Sequence, residues 1–295
     1  MKYRLLIFSL VIWWWWAGVG LALDWKPLHE RADLIGLAEA EAEVAKAPDS
    51  PDKLYLLGLV YINLRQDDKA EQVFEKMLKL DDKSVEASWG KAEVLRRRHE
   101  LGKSALILED LIKKRPDYPP SYISLAFLRF VQLDFNQSAR LVSEVIRMGR
   151  KKVDLTNYVL AIALYGGSKG MIANRGGPLS KLINGTAVLS NLKKAQKLQP
   201  DSLAALFGLG GYYLLAPSLA GGDVNLAIEY LEKAVKVDPR FADVYVRLAQ
   251  AYKVKKDNRK YQFYLKTAME IDPGNEFALD VKSGKCSFIC PGESE

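Results

Sequence analysis

The side chains that could do chemistry are few and scattered. Cys286 and Cys290 are the only cysteines, four residues apart near the C-terminus. In an exported chain they read as one small disulfide loop; free thiols and shared metal or redox use stay open as alternatives. The spacing is not that of a zinc knuckle or a thioredoxin motif. No second Cys pair or nearby His completes a metal site, so no metal or cofactor is expected. The only histidines, His29 and His99, are far apart, and neither stands beside a paired Asp and Ser. No nucleophile elbow or zincin pattern occurs, and the chain reads as non-enzymatic. Leu101–Ala105 contains Gly-Lys-Ser, the end of a phosphate-binding loop. That loop needs another glycine five residues before Gly102, and Arg97 stands there. The basic run Arg96–Glu100 reads as a helix C-terminus, where cations meet exposed carbonyls. Nucleic-acid binding would want a basic face with interleaved aromatics, so it is not expected.

What must position side chains in this protein is a helical array. Of 295 residues, 49% are hydrophobic and 27% charged, which excludes a largely disordered chain. The net charge of +7 is a mild excess, chiefly a matter of solubility. Lys2 and Arg4 precede a run without charge from Leu5 to Leu23, and Gly20-Leu21-Ala22 has small residues as a signal-peptidase site requires. The run is also just long enough to span a bilayer, and Trp13 to Trp16 favour an interface. Residues 1–22 are therefore expected to be a signal peptide or a membrane anchor. Either way the bulk of the chain is exported, periplasmic or on the extracytoplasmic side, and any membrane contact runs through this segment.

From residue 51 onward a period holds. Leu54, Leu57, Gly58 and Tyr61 are followed by Ala70, Phe74 and Met77; Ala92 is followed by Ser104, Leu108, Leu111 and Pro116; Tyr245, Ala249 and Tyr252 by Ala268 and Pro273. The pattern resembles the tetratricopeptide repeat (TPR), whose length is about 34 residues. Small residues let two helices approach, large ones fill the seam, and the closing proline stops the second helix. The expected fold is all-α: a TPR right-handed superhelical solenoid of about six units with capping helices. The units fall at 51–84, 85–118, 119–152, 153–202, 203–241 and 242–275. A capping helix is expected within 28–50, and a C-terminal cap with the Cys-containing tail at 276–295.

Two units are long. Unit 153–202 carries about sixteen extra residues and unit 203–241 about five, relative to the 34-residue template. Both insertions fall between first and second helix, so both are expected to form neighbouring loops on one edge. Their candidate functional residues are Met171 and Ile172 in the first, and Pro217, Leu219, Gly221, Gly222 and Asp223 in the second. Long loops are commonly functional, although a passive lid explains them as well.

The stretch Gly211, Tyr212, Tyr213, Pro217, Gly221, Gly222, Asp223, Ala227, Leu231 and Ala234 resembles the periplasmic TPR proteins of TRAP-type solute transporters. That resemblance implies an exported helical protein with a hydrophobic pore. It would oligomerise with itself and assist a solute-binding protein that delivers apolar organic acids. The TPR resemblance also implies that first helices line a concave groove. By register that groove would receive Tyr55, Trp89, Phe127, Phe130, Tyr158, Tyr165, Phe207 and Leu214, with Gln250 in the last unit. A stripe this apolar reads either as core between successive helices or as a binding groove for a hydrophobic ligand or protein partner. The function expected is a non-enzymatic binding or scaffold protein, as accessory subunit of a TRAP-type uptake system. The alternative is a membrane-anchored TPR scaffold in an envelope assembly complex.

Overall fold

A computed structural model describes residues 23–291. The expected signal peptide or anchor, residues 1–22, lies outside the described residues. Among those described there are fifteen α-helices and no strand. Two short helices, α1 (Trp25–Ala32) and α2 (Leu37–Lys46), stand where one capping helix was expected; the chain breaks between them and restarts after Gly36. Six helix pairs follow: α3 (Pro51–Asn63) with α4 (Asp67–Leu80), α5 (Val85–Arg97) with α6 (Leu101–Lys114), and α7 (Pro119–Val131) with α8 (Phe135–Lys152); then α9 (Leu155–Arg175) with α10 (Pro178–Leu198), α11 (Leu203–Leu215) with α12 (Val224–Val237), and α13 (Ala242–Val254) with α14 (Asn258–Ile271). A lone helix, α15 (Glu276–Ser283), closes the array.

The pairs form because the second helices other than α10 are amphipathic, while the first helices α3, α7 and α11 are apolar nearly all round. α4 buries Ala70, Phe74 and Met77, three positions at helical spacing. The ring of Phe74 lies where a Cβ on Gly58 would come within 2.5 Å, so only glycine lets α3 and α4 approach this closely. Helix starts are capped by side chains that accept backbone N–H bonds, among them Ser84, Asp154, Ser202, Asp223 and Asn275, each worth about 1 kcal/mol.

Turns within the pairs repeat as well. Arg65, His99, Leu133 and Lys256 occupy one equivalent position, with φ between 54° and 67°. Just after each, a backbone N–H reaches the carbonyl five residues back, as from Glu100 to Leu95 at 2.9 Å. This is the Schellman closure, which ordinarily takes glycine. A side chain there costs about 1 kcal/mol or more.

The two long units solve their extra length differently. In unit 153–202 the extra residues do not form a loop: α9 and α10 each extend to 21 residues, against 13 and 14 for α3 and α4. Gly166 to Thr186 is helical apart from a turn at Gly176-Gly177. No proline interrupts it before Gly176, so helix propagation wins over the turn-favouring Gly166-Gly167-Ser168 and Gly170. In unit 203–241 the extra residues do make a loop. Pro217 ends α11, a 3₁₀ turn spans Ser218–Ala220, and Gly221 takes φ 88°. Gly222 packs so tightly on the Ala216 carbonyl that a Cβ would overlap it. Asp223 caps α12 by accepting N–H bonds from Asn225 and Leu226. The expected pairing of two insertion loops is therefore replaced by a long helical hairpin and one tight turn.

Candidate interaction surface

The array curls until its ends meet. Arg65, in the first turn, donates two hydrogen bonds to Asp238 at 2.7 and 3.1 Å. Arg240 donates to the Leu64 carbonyl at 2.6 Å. His99, in the second turn, meets Asp272 at 2.9 Å and Glu276 at 2.8 Å through its two ring nitrogens. Burial works against a charge on His99, but hydrogen bonds to Glu276 and Asp272 outweigh it and raise its pKa above the ordinary value. Both residues sit at the left-handed turn position, so backbone strain is kept where side chains clasp the far end of the chain.

The groove residues are divided among several environments. Tyr55 is fully buried, its hydroxyl 2.7 Å from that of Tyr118 and 2.8 Å from His29 Nε2. Trp89 is buried and donates to the Ser124 hydroxyl, which in turn donates to Glu93. Helix α1 lies over this part: Trp25 sets its ring edge-on to Tyr118, and His29 lies 5.5 Å from Trp89. Burial pushes the His29 pKa down to about 4, against a smaller opposing pull from Asp154, and holds the ring neutral. Phe127 carries the Arg96 guanidinium 4.5 Å above its ring. Tyr158 and Tyr165 pack half-buried against α8 and its neighbours. Phe207 sets its ring against Phe241 and Leu214 is buried, both in the core of the fifth and sixth pairs.

Phe130 leads to the other covered region. It stacks on Phe288 of the C-terminal tail and meets Phe135 edge-on at 5.0 Å. Cys286 and Cys290 are joined by a disulfide. The tail they close lies along α13: Arg247 donates to the carbonyls of Phe288 at 3.3 Å and Ile289 at 3.4 Å, and Gln250 donates to Ile289 at 3.2 Å. Asp280 accepts the N–H groups of Ser287 and Phe288. Phe277 closes the cage around Phe288, edge-on at 5.6 Å. Burial brings the Arg247 guanidinium down to about 10, which leaves it charged at neutral pH. Met171 and Ile172, expected in a loop, lie in α9 and pack into this same cluster. Arg175, at the end of α9, donates to the Ser287 carbonyl at 3.0 Å.

Arg247, Asp280 and the clasp residue Arg65 were not singled out from sequence, and His99 was weighed there only as a catalytic candidate. The usable signal was a side chain at the turn position where glycine is usual. A surface depression of about 570 Å³ lies elsewhere, on α4, α5 and α6, lined by residues including Leu78, Leu106 and Asp110. Among the described residues, no group of three or more His, Cys, Asp and Glu side chains is placed to hold a metal.

Paired helices repeating through a curled array, with small residues at their crossings, define a tetratricopeptide solenoid. The family model for the tetratricopeptide repeat matches residues 54–84, 219–241 and 242–275, so the chain carries these repeats. Its fold is similar to a chain of the Cut9–Hcn1 hetero-tetramer of APC/C (16% identity, TM-score 0.57), covering 89% of this chain and 49% of that one. It is similar to human IFIT1, in a dimer with m7Gppp-AAAA (19%, TM-score 0.56), over 79% of this chain and 55% of that one. It also resembles a tetratricopeptide repeat protein from Parabacteroides merdae (14%, TM-score 0.52), over 88% and 97% of the two chains. The chain thus spans about half the length of the first two. No curated protein matches the sequence.

Proposed function

We propose that the protein is a non-enzymatic, exported scaffold that docks a short turned segment of a protein partner on the inner face of α13. One observation carries this reading: that face already holds a short turned segment, the chain's own disulfide-closed Phe288–Cys290. Arg247 and Gln250 grip it by carbonyls, which any peptide supplies, while Phe130 and Phe277 take an aromatic anchor. Tyr55, Trp89 and Tyr118 are covered by α1, which favours a protein partner over a small apolar ligand. In its finer form the reading is an accessory subunit of a TRAP-type uptake system, with a periplasmic solute-binding protein as partner. The Gly211–Asp223 stretch and the apolar Leu5–Leu23 run support that form. A Cys286–Cys290 disulfide accords with an oxidising compartment.

The test uses a fluorescent, disulfide-closed peptide with the sequence of residues 284–291. It is expected to bind the Phe288→Ala chain, whose own tail is loosened, and to lose at least tenfold when Arg247→Ala is added, since hydrogen bonds from a charged donor are worth about 1.5–3 kcal/mol. No binding to the Phe288→Ala chain, with its melting transition intact, would sink the docking reading. Cross-linking in the cells that make the protein tests the finer form: capture of a solute-binding protein supports it, and its absence from the captured set rejects it.

A further inference from the structure

The α9–α10 hairpin carries an unusual charge distribution. Between Asp154 and Asp201 there is no acidic residue, while Lys169, Arg175, Lys181, Lys193, Lys194 and Lys197 are all present. The outer face of α10 changes character along its length. Val188, Leu192 and Ala195 are its buried residues, and they face the array. On the opposite side, the first two turns present Leu179, Leu182 and Ile183, at i, i+3 and i+4, with exposures of 69%, 66% and 61%. Successive residues turn by about 100°, so Lys193, Lys194 and Lys197 fall on that same outer side about three to five turns further on. All three are exposed. One flat surface laid along α10 would therefore meet three aliphatic side chains at one end and three ammonium groups at the other.

We infer that this face of α10 docks on an anionic lipid surface, with the Leu179–Ile183 end entering the headgroup boundary. The lysines complement lipid phosphates, and their long stems let the charges stay at headgroup level while the helix lies flat. A second copy of the chain is a poor occupant, because a self-complementary contact would set two acid-free cationic hairpins against each other. A polyanion such as RNA would use the lysines and leave the aliphatic end unsatisfied. No described helix is long and apolar enough to cross a membrane, so the contact is interfacial. The inference needs neither the α13 docking reading nor the N-terminal apolar run.

The experiment places an environment-sensitive fluorophore on Leu182→Cys in the full chain, so that it reads the α10 face and not the N-terminal run. Vesicles of phosphatidylcholine with phosphatidylglycerol are compared with phosphatidylcholine alone. The expected result is a blue shift and protection from aqueous quencher with anionic vesicles only. Lys193→Gln/Lys194→Gln/Lys197→Gln should weaken it by at least tenfold, from about 1 kcal/mol per lysine near such a surface. Replacing Leu179 and Ile183 by serine in the labelled chain should abolish the protection, with the melting temperature unchanged because both residues are exposed. Four outcomes would overturn the inference: no shift, an equal shift on neutral vesicles, a shift already present without vesicles, or indifference to the serine replacements. The third would mean that a second copy or the chain's own N-terminal run covers the face.

Discussion

The inner face is closed in two places by opposite kinds of chemistry. Over the first pairs, α1 closes it by packing: Trp25 against Tyr118, and a neutral His29 against Tyr55 and Trp89. At the seam between the turns of the first two pairs and the segments that follow the fifth and sixth, the closure is ionic and half-exposed, made by Arg65 with Asp238 and by His99 with Asp272 and Glu276. The first should be strong, indifferent to salt and weakened by acid. The second should be weak, sensitive to salt and weakened by base. The two histidines mark the difference, since burial holds one without its proton and paired carboxylates help the other keep it.

The largest test of this contrast is Trp25→Ala. Removing a buried Trp costs about 3–5 kcal/mol. It should release α1, seen as early protease cleavage near residue 33 and a lower denaturation midpoint. An unchanged midpoint would mean that α1 contributes nothing. Next comes acid. His29 titrates near 6.5 when unfolded and near 4 when folded, so the unfolded chain binds the extra proton first. Stability should fall between those values by on the order of 2 kcal/mol, allowing for partial exposure of the ring. His29→Gln, which keeps an amide for the Tyr55 hydroxyl, should flatten that part of the stability–pH curve. A smaller effect is expected at the seam: Arg65→Ala should cost about 0.5–1 kcal/mol and lose most of that effect in molar salt. A loss insensitive to salt would show the seam to be packed rather than ionic. The smallest concerns His99. Its folded pKa is raised, so its contribution is complete below 6.5 and lost as pH rises through the folded value. Chemical denaturation of His99→Gln should match wild type on the alkaline side and fall below it on the acidic side.

The helix pairs could be read from the sequence because their determinants are local: Gly58, Ala70 and Phe74 recur at fixed spacing, and each unit touches its neighbours. The disulfide was legible as one of several alternatives for the two cysteines. The clasp was not. Nothing near Arg65 announces Asp238, 173 residues away, because curvature accumulates over five pairs through small rotations that no single motif encodes. The first insertion was misread as a loop because Gly166, Gly167 and Gly170 suggest turns. Glycine in a helix costs only about 1 kcal/mol each, and burial of Met171 and packing of Ile172 offset it. The second insertion kept its turn because Pro217, Gly221 and Gly222 each enforce one. Of the eight groove aromatics and aliphatics, register located the first helices correctly but could not say that α1 and the tail would lie on top of several of them.

The seam also changes the mechanics of the molecule. An open solenoid is a spring that frays from its ends, where a terminal unit has one neighbour instead of two. Here the first two pairs are tied across the seam to the segments that follow the fifth and sixth. A pull on the two ends therefore loads the Arg65 and His99 contacts before it stretches any helix pair. Below that load the array is a stiff hoop; once the clasp parts, it becomes an extensible coil, with α1 and the tail still lying over its inner face.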